Sequence, residues 1–301
     1  MLTLNQFVRS HGLGNDYLVV DPARLSFDIT PEAVRRICDR HTGVGSDGIL
    51  ALHEPAKGSD AEARLRIWNP DGSEAEKSGN GLRIFCKFLF EHGYTSKPSF
   101  GVDTAGGRVR AVLHLMGKTA SEVTVEMGAA TFDAGRIPVK GFSGDVVSKP
   151  LRVGSGGEAK DLVVTCVSVG NPHCVVILKS LDDLDIHRWG PALEIHPAFP
   201  NRSNVQFVRV DDGKEVTARI WERGAGYTLA SGSSSCAVAA ACVKNGLTGG
   251  DLTVHMPGGD LSISVDKTYN LTMRGKVEEV CLGTFSGGLL ESLLKTAPRT
   301  A

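Results

Sequence analysis

At 301 residues the chain has room for two domains of about 150 residues each. Hydrophobic residues make up 41%, charged residues 22%, and the formal net charge is −1. That balance is ordinary for a globular protein and gives no electrostatic reason to expect nucleic acid or a membrane surface as partner. No apolar run approaches the ~18–20 residues of a membrane span, and residues 1–7 lack the basic end and apolar stretch of a signal peptide.

In chain order, residues 4–9 and 17–21 read as strands around the glycine-rich turn His11-Gly12-Leu13-Gly14-Asn15-Asp16. A helix follows over 31–38, with Thr30 as N-cap, Pro31 at its first position and apolar residues at helical spacing. The loop His41-Thr42-Gly43-Val44-Gly45-Ser46-Asp47-Gly48 leads into a strand at 49–52, and 64–68 alternates as a half-buried strand does. Asn69-Pro70-Asp71-Gly72-Ser73 is a strong turn signal. Ser78-Gly79-Asn80-Gly81 then opens an apolar helix that stops near Gly93. Residues 98–128 read as three strands, and 129–160 carry only weak signals.

Residues 162–169 form a clear strand that ends at Gly170-Asn171-Pro172-His173 and resumes over 174–178. A short helix is expected at 181–189 and strands at 205–210 and 215–221, the last ending in Glu222-Arg223-Gly224. Ser231-Gly232-Ser233-Ser234-Ser235 opens a second apolar helix that stops at Asn245-Gly246. Strands near 252–256, 261–265, 270–275 and 277–282 and a helix around 289–295 complete the chain.

The order of elements occurs twice. Each half has a strand ending in Gly-Asn, a second strand, and then a Ser-Gly turn feeding a helix that is apolar on most faces. Many strands around one buried helix, repeated, specify an α+β protein of two pseudo-symmetric lobes, each a curved, mainly antiparallel sheet around a central helix. The expected division is 1–128, completed by the segment 284–301, and 129–283.

The seven cysteines are odd in number and include no Cys-x-x-Cys. This argues against a disulfide framework or a zinc ribbon and for the reducing cytoplasm. His11, His41 and His173 have no ligand spacing, so no metal is expected. The glycine loop at 43–48 is not a dinucleotide fingerprint, and nothing points to pyridoxal phosphate or flavin, so no cofactor is expected.

A helix N-terminus offers unpaired N–H groups and partial positive charge, which suits a carboxylate. Ser78 and Ser231 stand at two such termini, a place where serine also serves as a plain cap. Asn15, Asn69, Asn171, Asn204, Glu222 and Arg223 lie at strand ends. Together they provide amide donors and acceptors, one carboxylate and one guanidinium. That inventory fits a zwitterionic amino acid bearing a further carboxylate.

These motifs resemble diaminopimelate epimerase over nearly the whole chain. The resemblance also takes in Gly43-Val44-Gly45-Ser46-Asp47-Gly48, Gly79-Asn80-Gly81-Leu82-Arg83, Asn204-Val205-Gln206-Phe207 and Pro257-Gly258-Gly259-Asp260. It implies a cofactor-independent epimerase of lysine and peptidoglycan biosynthesis, commonly a homodimer. By the same resemblance Asn15, Asn69, Asn171, Asn204 and Arg223 would hold the distal end of the substrate and Glu222 its amino group. Gly79-Asn80 and Gly232-Ser233 would hold the reacting carboxylate, and His173 would line the site.

In that family two cysteines open the two helices. One thiolate removes the α-proton and the other thiol protonates the opposite face. Here both positions are serine, Ser78 and Ser231. A thiol titrates near ~8.5 and bulk water, a stand-in for an alcohol, near ~15.7. The gap of roughly 7 units is about 10 kcal/mol, of which a helix N-terminus returns at most ~2 kcal/mol. The serines therefore need an activating group, and His173 is the candidate by position. Three readings follow from the residues. The chain is an epimerase whose cysteines were replaced so that it traps substrate, a divergent isomerase or tautomerase using serine on another carboxylate, or a disabled amino-acid-binding protein. The family-level expectation is epimerisation of LL-diaminopimelate to the meso form.

Overall fold

A computed structural model describes residues 1–154 and 159–296. The chain forms two compact units, 1–125 with 275–301 and 126–274.

The first unit contains β1 (Gln6–Gly12), β2 (Asn15–Val20), α1 (Pro31–Cys38), β3 (Ile49–His53), β4 (Ala63–Trp68), β5 (Glu74–Ala75), α2 (Gly79–Glu91), β6 (Ser99–Thr104), β7 (Gly107–Met116) and the start of β8 (Thr119–Ala129), which passes into the second unit at Glu126. The second contains β9 (Lys149–Val153), β10 (Lys160–Ser168), β11 (Pro172–Leu178), α3 (Ile186–Glu194), β12 (Asn204–Val210), β13 (Glu215–Glu222), β14 (Gly226–Thr228), α4 (Gly232–Lys244), β15 (Asp251–Met256), β16 (Gly259–Val265) and most of β17 (Asn270–Lys276), which passes back into the first unit at Gly275. The chain then returns to the first unit with β18 (Glu278–Thr284) and α5 (Gly287–Thr296).

The two units share one pairing scheme. In the first, β1 pairs antiparallel with β18 and β2, β2 parallel with β3, β3 antiparallel with β4, and β4 parallel with β6. In the second, β10 pairs antiparallel with β9 and β11, β11 parallel with β12, β12 antiparallel with β13, and β13 parallel with β15. The short strands β5 and β14 pair with the ends of β4 and β13. This scheme makes Tyr17 the counterpart of His173, Gly48 of Asn204, Leu50 of Gln206 and Trp68 of Trp221.

Each central helix is fixed at both ends by local chemistry. Ser78 and Ser231 have extended backbones, and their side chains accept the N–H groups of Gly81 and Ser234. Such a cap contributes about 1 kcal/mol. At the far ends Gly93 and Gly246 have φ of 71° and 68°. There the N–H of Tyr94 reaches Leu89 O and that of Leu247 reaches Cys242 O, closing the last turn in a Schellman motif. Leu82, Ile84, Phe85, Cys86, Phe88 and Leu89 of α2 are buried, as are Cys236 to Cys242 of α4. α2 touches β1, β2, β4 and β7, and α4 touches strands from β10 to β16. A sheet whose distant strands all reach one helix must curl around it. In the first unit α1 and α5 pack together with Phe7, Phe27 and Phe285 around Leu18, Val20 and Ile49.

The structure departs from the sequence expectations in four places. β18 pairs with β1, which puts 275–283 in the first unit, and the last five residues of the segment 284–301 lie outside the described residues. The helix expected at 181–189 runs from Ile186 to Glu194, because Asp185 caps it by accepting the Arg188 N–H. β9 forms within the stretch 129–160, and β5 and β14 were too short to register as periodic patterns. β1 and β2 run deep into the glycine turn, leaving only Leu13 and Gly14 between Gly12 and its partner Asn15. Both turn residues have positive φ, 58° and 89°, as a tight hairpin of this hand requires.

Candidate functional site

In the first unit the Leu13-Gly14 turn puts Asn15 at the start of β2. Asn15 Nδ2 donates to Asp47 Oδ2 at 2.8 Å, and its Oδ1 accepts from Asn80 Nδ2 at 3.2 Å. Asn80 Oδ1 in turn accepts from the fully buried Arg83 at 2.8 Å. The loop from 43 to 48 is thereby joined to the first turn of α2 through two asparagines. Asp47 also accepts the Asp16 N–H at 3.1 Å and Arg40 at 2.7 Å. Burial works to raise the Asp16 pKa, but hydrogen bonds from Arg40 and Arg9 outweigh it and hold the carboxyl below its usual range. Asn69 stays within its own turn, donating to Ser73 Oγ at 3.0 Å.

Ser78 is half-buried at the N-terminus of α2, with Gly79 and Asn80 buried behind it. Its Oγ accepts the Gly81 N–H at 3.1 Å and lies 3.3 Å from the hydroxyl of Tyr17.

In the second unit Ser231 is buried, and its Oγ accepts the Ser234 N–H at 3.4 Å. Gly232 is buried and Ser233 half-buried in the same turn. Asn171, His173, Gln206 and Ser234 form a chain. His173 Nε2 and Asn171 Oδ1 are 2.8 Å apart, His173 Nδ1 and Gln206 Nε2 are 3.0 Å apart, and Gln206 Nε2 also donates to Ser234 Oγ at 3.0 Å. These partners specify a ring with hydrogen on Nε2 and a lone pair on Nδ1. Full burial lowers the His173 pKa to about 3, and the charge of Arg223 adds to the effect.

Glu222 and Arg223 follow directly on Trp221 in β13. Asn204 Oδ1 accepts the Arg223 N–H at 2.9 Å, and Asn204 Nδ2 donates to Pro172 O. The buried carboxylate of Glu194 accepts from Trp221 Nε1 at 2.7 Å and Gly224 N at 2.8 Å, and pairs with Arg202.

The structure therefore brings Asn15 to Asn80, Asn171 to His173 and Asn204 to Arg223, whereas Asn69 is held within its turn. His173 is not the base that the sequence suggested for a serine. Both its nitrogens are engaged, and its low pKa leaves it a poor proton acceptor. Sequence reasoning missed Tyr17, Arg83, Gln206 and Glu194 as site residues. Arg83 and Gln206 lie inside the motifs that carry the family resemblance, but Tyr17 reads only as the first residue of a strand. All seven cysteines are free, and only Cys281 is exposed. Among the described residues no His, Cys, Asp or Glu cluster is placed to hold a metal, and no helix is long and apolar enough to cross a membrane.

The family model described as diaminopimelate epimerase matches residues 7–132 and 165–280. The chain belongs to the diaminopimelate epimerase family. Diaminopimelate epimerase 2 of Nostoc sp. is 44% identical over 282 residues, covering 93% of this chain and 95% of that protein. The diaminopimelate epimerase of Desulfitobacterium hafniense is 40% identical over 294 residues, covering 96% and 99%. A hydroxyproline epimerase from Agrobacterium vitis, solved with trans-4-hydroxy-L-proline bound, shares the fold at a TM-score of 0.69 and 17% identity, over 93% of this chain and 90% of that one. The two-lobed α+β architecture of the diaminopimelate epimerase family thus agrees with the expectation drawn from the repeated motifs.

Proposed function

We propose that this chain is an amino-acid epimerase that moves the α-proton of LL-diaminopimelate to give the meso form, without a cofactor, in the cytoplasm. The observation that carries the reading is the placement of Ser78 and Ser231 at equivalent helix N-termini of two units with the same pairing scheme. Backbone N–H groups at such termini stabilise a carboxylate and the negative charge that develops on it when the α-proton leaves. The turns at Gly79-Asn80 and Gly232-Ser233 supply these groups.

In this reading Ser78 and Ser231 exchange the α-proton. Asn15, Asn69, Asn171, Asn204 and Arg223 bind the distal amino-acid end, Glu222 the amino group, and His173 forms an uncharged wall. The neutral ring suits that role, because a cation there would compete for the substrate carboxylate. The seven free thiols suit a reducing compartment, and a homodimer is the proposed assembly.

Incubation of the protein with LL-diaminopimelate in deuterated water tests the reading. Deuterium at the α-carbon together with meso product is expected. Tight calorimetric binding with no exchange, even in a variant with cysteine at both positions, would overturn it in favour of a binding protein.

A further inference from the structure

The only side-chain hydroxyl hydrogen-bonded to Ser78 Oγ among the described residues belongs to Tyr17, at 3.3 Å. Tyr17 is 7% exposed, in the middle of the first unit's sheet, and its ring is seated tightly. A Cβ on Gly48 would lie 2.8 Å from Tyr17 Cε1 and 2.3 Å from the carbonyl oxygen of Trp68, so the glycine leaves the space that the ring fills. Ser78 Oγ already accepts the Gly81 N–H, which fixes its position at the helix end. The hydroxyl hydrogen can then lie along the line to Tyr17.

The two hydroxyls differ greatly in acidity. A phenol titrates near ~10, whereas an alcohol resembles water near ~15.7, so the phenol ionises about a million-fold more readily. Any negative charge shared by this pair rests on Tyr17. Among the described residues the second unit shows no such partner for Ser231, and the counterpart of Tyr17 there is the neutral His173, engaged at both nitrogens.

Resting on the epimerase reading, the geometry points to Tyr17 as the proton partner of Ser78. As the substrate Cα–H bond breaks, its electron pair passes into the carboxylate as an enolate and the proton bonds to Ser78 Oγ. The proton that Ser78 carried moves to the Tyr17 phenolate, leaving a neutral serine and a neutral phenol. The reverse transfer returns a proton to carbon and regenerates the phenolate. Tyr17 does not touch the substrate, and it acts through Ser78.

The test is the rate of α-deuterium incorporation into LL-diaminopimelate between pH 6 and 10, by mass spectrometry. In the unsubstituted chain the rate is expected to rise about ten-fold per pH unit toward the phenol range. Tyr17→Phe keeps the ring and is expected to lose at least a hundred-fold in kcat, lose the pH rise, and keep KM within about two-fold. In a Ser78→Cys background, where a thiol ionises by itself near ~8.5, the loss should shrink to a few-fold. A Tyr17→Phe variant with the rate and pH profile of the unsubstituted chain would overturn the relay and leave the epimerase reading intact. No exchange in the unsubstituted chain up to pH 10 would also overturn the relay. The doubly cysteine-substituted variant then decides the wider reading: exchange keeps the pocket as an epimerase site, and inertness removes both.

Discussion

One amide group of Gln206 ties His173 to Ser234. Gln206 Nε2 lies 3.0 Å from His173 Nδ1 and 3.0 Å from Ser234 Oγ, tying the ring to the first turn of α4. The Gln206 carbonyl oxygen is buried with no hydrogen-bond partner among the described residues. The ring's neutrality comes from its full burial and the nearby charge of Arg223, and the Gln206 contact works against both.

The buried neutral ring has a consequence for stability. The His173 pKa is about 3 in the folded chain, against about 6.5 when unfolded. Below pH 6.5 the unfolded chain takes up a proton that the folded one refuses. The stability from the neutral ring is therefore complete above pH 6.5 and declines as pH falls toward 3, by at most ~1.4 kcal/mol per pH unit. Tm should fall between pH 7 and 5, and His173→Gln should show a shallower fall. Equal slopes in calorimetric scans of the two proteins would show that this ring is not held neutral.

Much of the fold was legible because it is local. Thr30-Pro31, Ser78-Gly79 and Ser231-Gly232 announce helix starts by capping chemistry, and Gly93 and Asn245-Gly246 announce their ends. The Gly-Asn turns before β2 and β11 were equally plain. Long-range registers were not legible. Nothing local in Glu278–Thr284 says that it pairs with β1, and nothing near Tyr17 says that its hydroxyl reaches a residue 61 positions away. The engagement of both His173 nitrogens was hidden for the same reason, since Gln206 is 33 positions from it.

Cysteine at the two helix termini should separate catalysis from capping. Ser78→Cys with Ser231→Cys is expected to raise α-proton exchange at least a hundred-fold, because thiols ionise some 7 units lower than alcohols. The same variant loses two good caps and should be less stable by about 1 kcal/mol per cap in urea unfolding. Ser78→Ala and Ser231→Ala should show the stability loss without the gain in rate. A double cysteine variant with unchanged exchange would show that the rest of the site is not built for this substrate.

Asp47 should matter for binding more than for folding. It holds Asn15 by Nδ2 and shares Arg40 with Asp16, yet its side chain is 39% exposed. Exposed pairs of this kind contribute at most about 1 kcal/mol. In Asp47→Asn the amide oxygen can replace Oδ2, but the NH2 then faces Arg40 in place of Oδ1, so the side chain that holds Asn15 loses its anchor. The expected outcome is a KM raised about ten-fold, kcat within a few-fold and a small change in urea midpoint. An unchanged KM would remove Asn15 from the set of substrate contacts.

Glu194 clamps the turn that carries Glu222 and Arg223. One carboxylate oxygen accepts from Trp221 Nε1 before that pair and the other from Gly224 N after it, so the two residues are spanned by a single buried group. Arg202 supplies the neutralising charge. In Glu194→Gln one oxygen becomes an NH2 that must face an N–H donor, so one bond is replaced by a repulsive contact and the Arg202 pair loses its charge. Hydrogen bonds to charged groups contribute roughly 1.5–3 kcal/mol, and a loss of about 2–3 kcal/mol in urea unfolding is expected. KM should rise while kcat changes little, because the turn that loosens holds proposed substrate-binding residues and neither proton-transfer serine. If stability fell by that amount with KM unchanged, Glu222 and Arg223 would be surface residues of the turn, and the amino group of the substrate would be held elsewhere.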